Sequence, residues 1–87
     1  MIEASEIATA SPPALRPGSS VKLAAVATGL WRVLDARGRI IGHLQALGER
    51  QGVRYRARRF HAASQAFREL GDFWSADDAV DCLRFAR

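Results

Sequence analysis

The stretch Val53-Arg54-Tyr55-Arg56-Ala57-Arg58-Arg59-Phe60 decides how this chain reads. Val53, Tyr55 and Ala57 alternate with Arg54, Arg56 and Arg58, and successive side chains of a β-strand point to opposite faces. The segment is therefore predicted to be a strand with one apolar face and one arginine face, the pattern of a sheet covered on one side only. Arg59 carries the core-facing parity, which places it at a strand end or a bulge.

Upstream, Leu30-Trp31-Arg32-Val33-Leu34 is dense in aromatic and β-branched residues and reads as a strand. Asp35-Ala36-Arg37-Gly38 follows, with Asp opening a type I turn and Gly in the left-handed position. A second strand is expected from Arg39 to about Leu47. Gly42 in its middle marks a bulge or a close backbone approach, and Gly48 to Gly52 make the next turn. Downstream, after a loop around Ala62 to Gln65, Ala66 to Leu70 reads as a fourth, shorter strand, with one or two helical turns as the alternative. Gly71-Asp72 breaks the pattern.

The last element is a helix. Ser75 is a suitable N-cap, and Asp78 three residues later makes the Asp version of a capping box. Asp77 and Asp78 lie in the first turn and Arg84 and Arg87 in the last, as the helix dipole favours. Phe73 or Trp74 is placed to staple onto Ala79 or Val80. Ala76, Ala79, Val80 and Leu83 form one apolar stripe. The expected fold is α+β: a three- to four-stranded antiparallel sheet with one C-terminal helix packed on one face. The stripe is expected to cover Trp31, Val33, Tyr55 and Ala57, leaving Arg32, Arg54, Arg56 and Arg58 on the open face with His43 and Gln45.

The 87 residues allow one domain at most. Residues 1–20 hold Pro, Ser and Ala and no aromatic residue, a composition that buries too little surface to offset ordering entropy. They are expected to form a flexible arm, residues 21–29 a linker or short element, and residues 30–87 the domain. All seven aromatics lie between Trp31 and Phe85, and Trp31, Tyr55, Phe60, Phe73 and Trp74 are expected in the core. A domain this small often gains stability from a partner or from self-association, which admits a homodimer.

The formal charge of +4 is unevenly spread. Residues 31–60 hold eight arginines against Asp35 and Glu49, whereas residues 61–87 hold three arginines against five acids. A segregated basic patch points to an anionic partner. Twelve of the thirteen basic residues are Arg, the side chain suited to bidentate phosphate and guanine contacts. A lone Cys82 rules out an internal disulfide, and the acidic Glu3 and Glu6 do not make a signal-peptide n-region. The run Leu23 to Ala27 is too short to span a bilayer. Together these lead us to expect a cytoplasmic protein without membrane contact.

Enzymatic chemistry finds little support. His43 and His61 are the only histidines, and with Cys82 they do not supply a patterned metal set. Asp77, Asp78 and Asp81 are explained by the helix start, and no glycine-rich phosphate loop is present. No catalytic residue, metal or cofactor is expected. The basic strand is the candidate site. A two- or three-stranded sheet enters the DNA major groove and reads base edges with arginines. Arg54, Arg56 and Arg58 are ~7 Å apart along a strand, with Arg32 beside them, and Arg37, Arg39 and Arg50, in or near the turns, are placed to grip phosphates. Base stacking requires aromatics on the arginine face. Only Phe60 has that parity, so duplex DNA is favoured over single strands. An acidic protein partner in a larger assembly is the alternative, and a merely solvated sheet face the blandest one.

Strands followed by Phe73-Trp74-Ser75-Ala76-Asp77-Asp78-Ala79-Val80-Asp81-Cys82-Leu83 resemble the arm-site DNA-binding domains of phage integrases and the related AP2-like domains. Those families show a three-stranded sheet and a C-terminal helix, often opened by Phe, a Ser or Thr cap and an Ala-x-x-x-Leu stripe; Phe73, Ser75, Ala79 and Leu83 match. The resemblance covers residues 30–85 in outline and implies DNA reading by the sheet face opposite the helix, through Arg54, Arg56 and Arg58. The chain lacks an integrase catalytic domain. Leu30 to Leu44 (LWRVLDARGRIIGHL) with Gly71 to Arg84 (GDFWSADDAVDCLR) also looks like short actinobacterial proteins that carry the name DNA mismatch repair protein, but has no ATPase, clamp or nuclease motif.

Overall fold

A computed structural model describes residues 12–85. Five strands, β1 (Lys22–Ala27), β2 (Leu30–Leu34), β3 (Ile40–Glu49), β4 (Gly52–His61) and β5 (Ala66–Phe73), precede one helix, α1 (Ala76–Phe85). The strands form a single antiparallel meander in chain order, so β1 and β5 are the two edges. The α+β architecture is as the sequence implies, with five strands rather than three or four.

The additional strand is β1, KLAAVA, in the segment expected as a linker or short element. One β-branched residue among alanines carries almost no strand signal, because strand preference reflects the surroundings more than the residue. Here the surroundings are the free backbone of β2, which β1 pairs from Lys22↔Leu34 to Ala27↔Leu30. Residues 16–19, within the expected arm, lie beside α1. Leu15 packs against the core, the Arg16 backbone N–H donates to Asp77 Oδ1 at 2.9 Å, and its guanidinium reaches Asp81 Oδ2 at 3.2 Å. The first half of that arm, residues 1–11, lies outside the described residues.

The β2–β3 hairpin forms as its turn residues require. Gly38 has φ 81°, and Asp35 Oδ1 accepts from the N–H groups of Arg37 and Arg39, both at 2.9 Å. These N–H donors, with Arg39's first, hold the Asp35 carboxyl below its ordinary range. The β3–β4 hairpin is tighter than expected: β3 continues to Glu49 and β4 begins at Gly52. β5 continues through Gly71-Asp72 instead of ending before them, and residues 66–70 are strand, not helical turns. A bulge accommodates the glycine. Ala57 pairs with Gly71 and Arg58 with Glu69, leaving Leu70 as the extra residue.

The helix caps through Ser75, whose Oγ accepts from the Asp78 N–H at 3.3 Å. Ala76, Ala79, Val80 and Leu83 are buried against Trp31, Val33, Leu44 and Ala57. Gly42 leaves room for the helix: a Cβ there would lie 2.5 Å from Leu83 Cδ2 and 2.6 Å from the Arg58 carbonyl oxygen. Arg59 projects to the helix side and donates to the Leu83 carbonyl, so the basic residue of core-facing parity serves the helix C-terminus. Two expected core residues are outside: Phe60 is 50% and Trp74 51% exposed, while Phe73 alone of the 73–74 pair packs inward. No helix among the described residues is long and apolar enough to cross a membrane.

Candidate nucleic-acid interface

The sheet face opposite α1 gathers the residues of alternate ladder positions. Register pairs Arg32 with His43 and His43 with Arg58, Gln45 with Arg56, and Leu47 with Arg54. Arg32, Arg54, Arg56 and Arg58 therefore share the open face with His43 and Gln45, as the alternation of β4 implies. The bulge in β5 then determines what joins them. An unbroken strand places Phe67 and Glu69 on one face and Asp72 on the other. The extra residue at Leu70 resets the parity, so Phe67, Glu69 and Asp72 all meet the arginines.

The middle of the arginine row is occupied. Arg56 Nε donates to Asp72 Oδ1 at 2.8 Å and Nη2 to Oδ2 at 3.0 Å, with Glu69 Oε2 3.5 Å from Nη1. The bonds from Arg56 hold the Asp72 carboxyl below its ordinary range, and Asp72 in turn holds Arg56 above its own. Arg54 reaches Glu49 only at 4.0 Å. Of the four arginines, Arg56 is the one neutralised by a close bidentate partner.

The arginines on either side lie over aromatic rings. The guanidinium carbon of Arg54 is 4.7 Å from the centroid of Trp74, and that of Arg58 is 5.0 Å from the centroid of Phe67. Both side chains lie flat enough that their Nε atoms are buried without a hydrogen-bond acceptor among the described residues. His43 stacks on Phe67 at 4.4 Å and 23°, and Phe60 meets Phe67 edge-on at 5.4 Å. The expectation that Phe60 alone among the aromatics has the arginine-face parity is thus corrected: Phe67 shares the face, and Trp74 reaches Arg54.

Around these rings Arg32, Ile40, His43, Phe60 and Phe67 line a recess of ≈ 420 Å³. Ile40, 55% exposed, reaches this face because β3 carries an extra residue at Ile41, between the pairs Val33↔Gly42 and Leu34↔Ile40. Desolvation, then the charges of Arg58 and Arg32, push the His43 pKa below its ordinary value, so the imidazole between two guanidinium groups is neutral at neutral pH.

The turn arginines do not flank one patch. Arg37 and Arg39 sit at the β2–β3 turn, at the recess end, where Arg39 Nε pairs with Asp35 Oδ2 at 3.0 Å. Arg50 sits at the β3–β4 turn, on the far side of a ten-residue strand, ~33 Å away at ~3.3 Å per residue. At the recess end, His61 Nδ1 lies 2.9 Å from Ser64 Oγ in the β4–β5 loop, where Gln65 takes φ 52°. His43, His61 and Cys82 stand on three different elements: β3, the end of β4 and α1. Comparison of the chain with protein-family models, curated proteins and solved structures finds no match.

Proposed function

We propose that the chain is a non-catalytic nucleic-acid-binding module that takes its ligand on the open sheet face. The observation that carries the reading is the pairing of exposed rings with guanidinium groups there: Arg54 over Trp74 and Arg58 over Phe67. Phosphates are attracted by the charge, and bases by flat apolar surface. Arg32, Arg54 and Arg58 contact the ligand, with Arg37 and Arg39 reaching phosphates at the recess end and Arg50 at the other. Arg56 holds β5 to β4 through Asp72 and contributes less. The separation of the histidines and the cysteine supports a binding role rather than catalysis, and a cytoplasmic setting goes with both the ligand and a lone thiol.

A specific observation favours one second reading. β1 offers an alanine-rich outer edge, to which a strand of a partner protein adds by backbone pairing. Salt separates the two. Six phosphate contacts imply affinity falling about 300-fold for a single strand, and about 1,800-fold for a duplex, between 50 and 200 mM salt. Fluorescence anisotropy of labelled oligonucleotides reads this directly. Salt-independent binding, or none at 50 mM, contradicts the proposal.

A further inference from the structure

Resting on the nucleic-acid reading, we infer that the ligand is single-stranded and that the recess of Ile40, Phe60, Phe67, His43 and Arg32 holds an unpaired base. The argument begins with what a duplex leaves unused. In a double helix the base faces are stacked on one another, so a duplex meets the sheet with phosphates and groove edges only. Those satisfy arginines. Beyond the thymine methyl they offer little to Phe60 at 50%, Ile40 at 55% and Phe67 at 36% exposure, which form one contiguous apolar patch on a small domain. Exposed apolar patches of this kind mark contact sites.

The chemistry of the lining matches a nucleobase and its phosphate. Phe67 is the floor, with His43 stacked on it and Phe60 against it edge-on. Arg32 borders the recess and Arg58 lies over Phe67, so cations stand beside an apolar floor. A neutral His43 leaves that floor uncharged. An acidic peptide supplies the charge but no planar apolar group, so the recess discriminates between these ligands where the arginines do not.

A second platform extends the site. Trp74 lies under Arg54, and Arg54 and Arg58 are four residues apart on β4, ~13 Å at ~3.3 Å per residue. An unstacked strand lying along β4 contacts the recess at one end and Trp74 at the other. Trp31 is buried at 2% exposure and Trp74 is half exposed, so a base stacking near Trp74 alters the emission of one tryptophan of the two.

The test is a titration of the full chain with a labelled twelve-nucleotide oligothymidylate, and with a duplex of the same length, at 50 mM salt. Anisotropy and tryptophan emission are read together, and polyglutamate serves as competitor. The single strand is expected to bind at least tenfold more tightly than the duplex and to quench Trp74. Phe60→Ala and Phe67→Leu are expected to weaken it, by about tenfold for the first. Phe60 is exposed, so its variant retains the fold, and circular dichroism verifies this. Arg32→Gln gives an independent reading of the recess rim. A duplex bound as tightly as the single strand overturns the inference and leaves the nucleic-acid proposal standing, as does a single strand indifferent to Phe60→Ala and Arg32→Gln. Failure of both oligonucleotides to bind overturns both. Displacement by equimolar polyglutamate counts against both as well.

Discussion

Arg56 and Asp72 face each other across β4 and β5 in a two-point ion pair, at 2.8 and 3.0 Å, that closes the centre of the arginine row. The pair fastens the edge strand to the sheet and removes one positive charge from the surface on which Arg32, Arg54 and Arg58 remain. Asp72→Asn is therefore expected to strengthen oligonucleotide binding several-fold and to steepen its salt dependence. A titration at two salt concentrations measures both. Unchanged affinity would show that the ligand does not approach this part of β4.

Leu83 and Gly42 test the packing that orients the face. Adding a methyl group at Gly42 requires both Leu83 and the Arg58 backbone to move. Gly42→Ala is expected to cost about 1–3 kcal/mol, the usual range for overpacking. Gly48 in the same strand meets nothing within 4 Å, so Gly48→Ala is the control, expected within about 0.5 kcal/mol of the parent. Urea unfolding midpoints decide. Equal effects at the two sites would contradict the close helix approach.

His43 makes stability depend on pH. It faces Arg32 on β2, Arg58 on β4 and Phe67 on β5, and its native pKa lies below the ordinary 6.5. As pH falls through 6.5 the unfolded chain takes up the proton before the native one does, so stability is lost on acidification and recovered above that pH. The unfolding midpoint is expected to be lower at pH 5.5 than at 7.5, and His43→Gln to reduce the difference. A bound phosphate beside the imidazole favours its protonated form, so oligonucleotide affinity is expected to rise as pH falls over the same range. A pH-independent affinity would place the phosphates away from His43.

The sequence made β4, the helix and the arginines of the open face legible: β4 alternates apolar and arginine residues, and the helix carries its own cap and apolar stripe. Arg32, Arg54, Arg56 and Arg58 follow from parity alone. What parity does not carry is a change of register. The extra residues at Leu70 and Ile41 bring Phe67, Asp72 and Ile40 onto the arginine face. Each lies beside a glycine, and a glycine inside a strand often accompanies a bulge. Gly42 reads that way, and both the bulge and the close backbone approach are found there; Gly71 reads as a break in the pattern instead. β1 escaped because its pairing is supplied by β2 rather than by its own alanines. Trp74 escaped because two adjacent aromatics before a helix cannot both point inward, and nothing in the sequence chooses between them.

The central claim is that ligand meets the face opposite α1, and amide chemical-shift mapping of the isotope-labelled chain with oligothymidylate tests it most directly. Perturbations are expected to concentrate at Arg32, His43, Arg54, Arg58, Phe67 and Trp74, with α1 little affected. Shifts centred on α1 or on the outer edge of β1, or none at 50 mM salt, would contradict it.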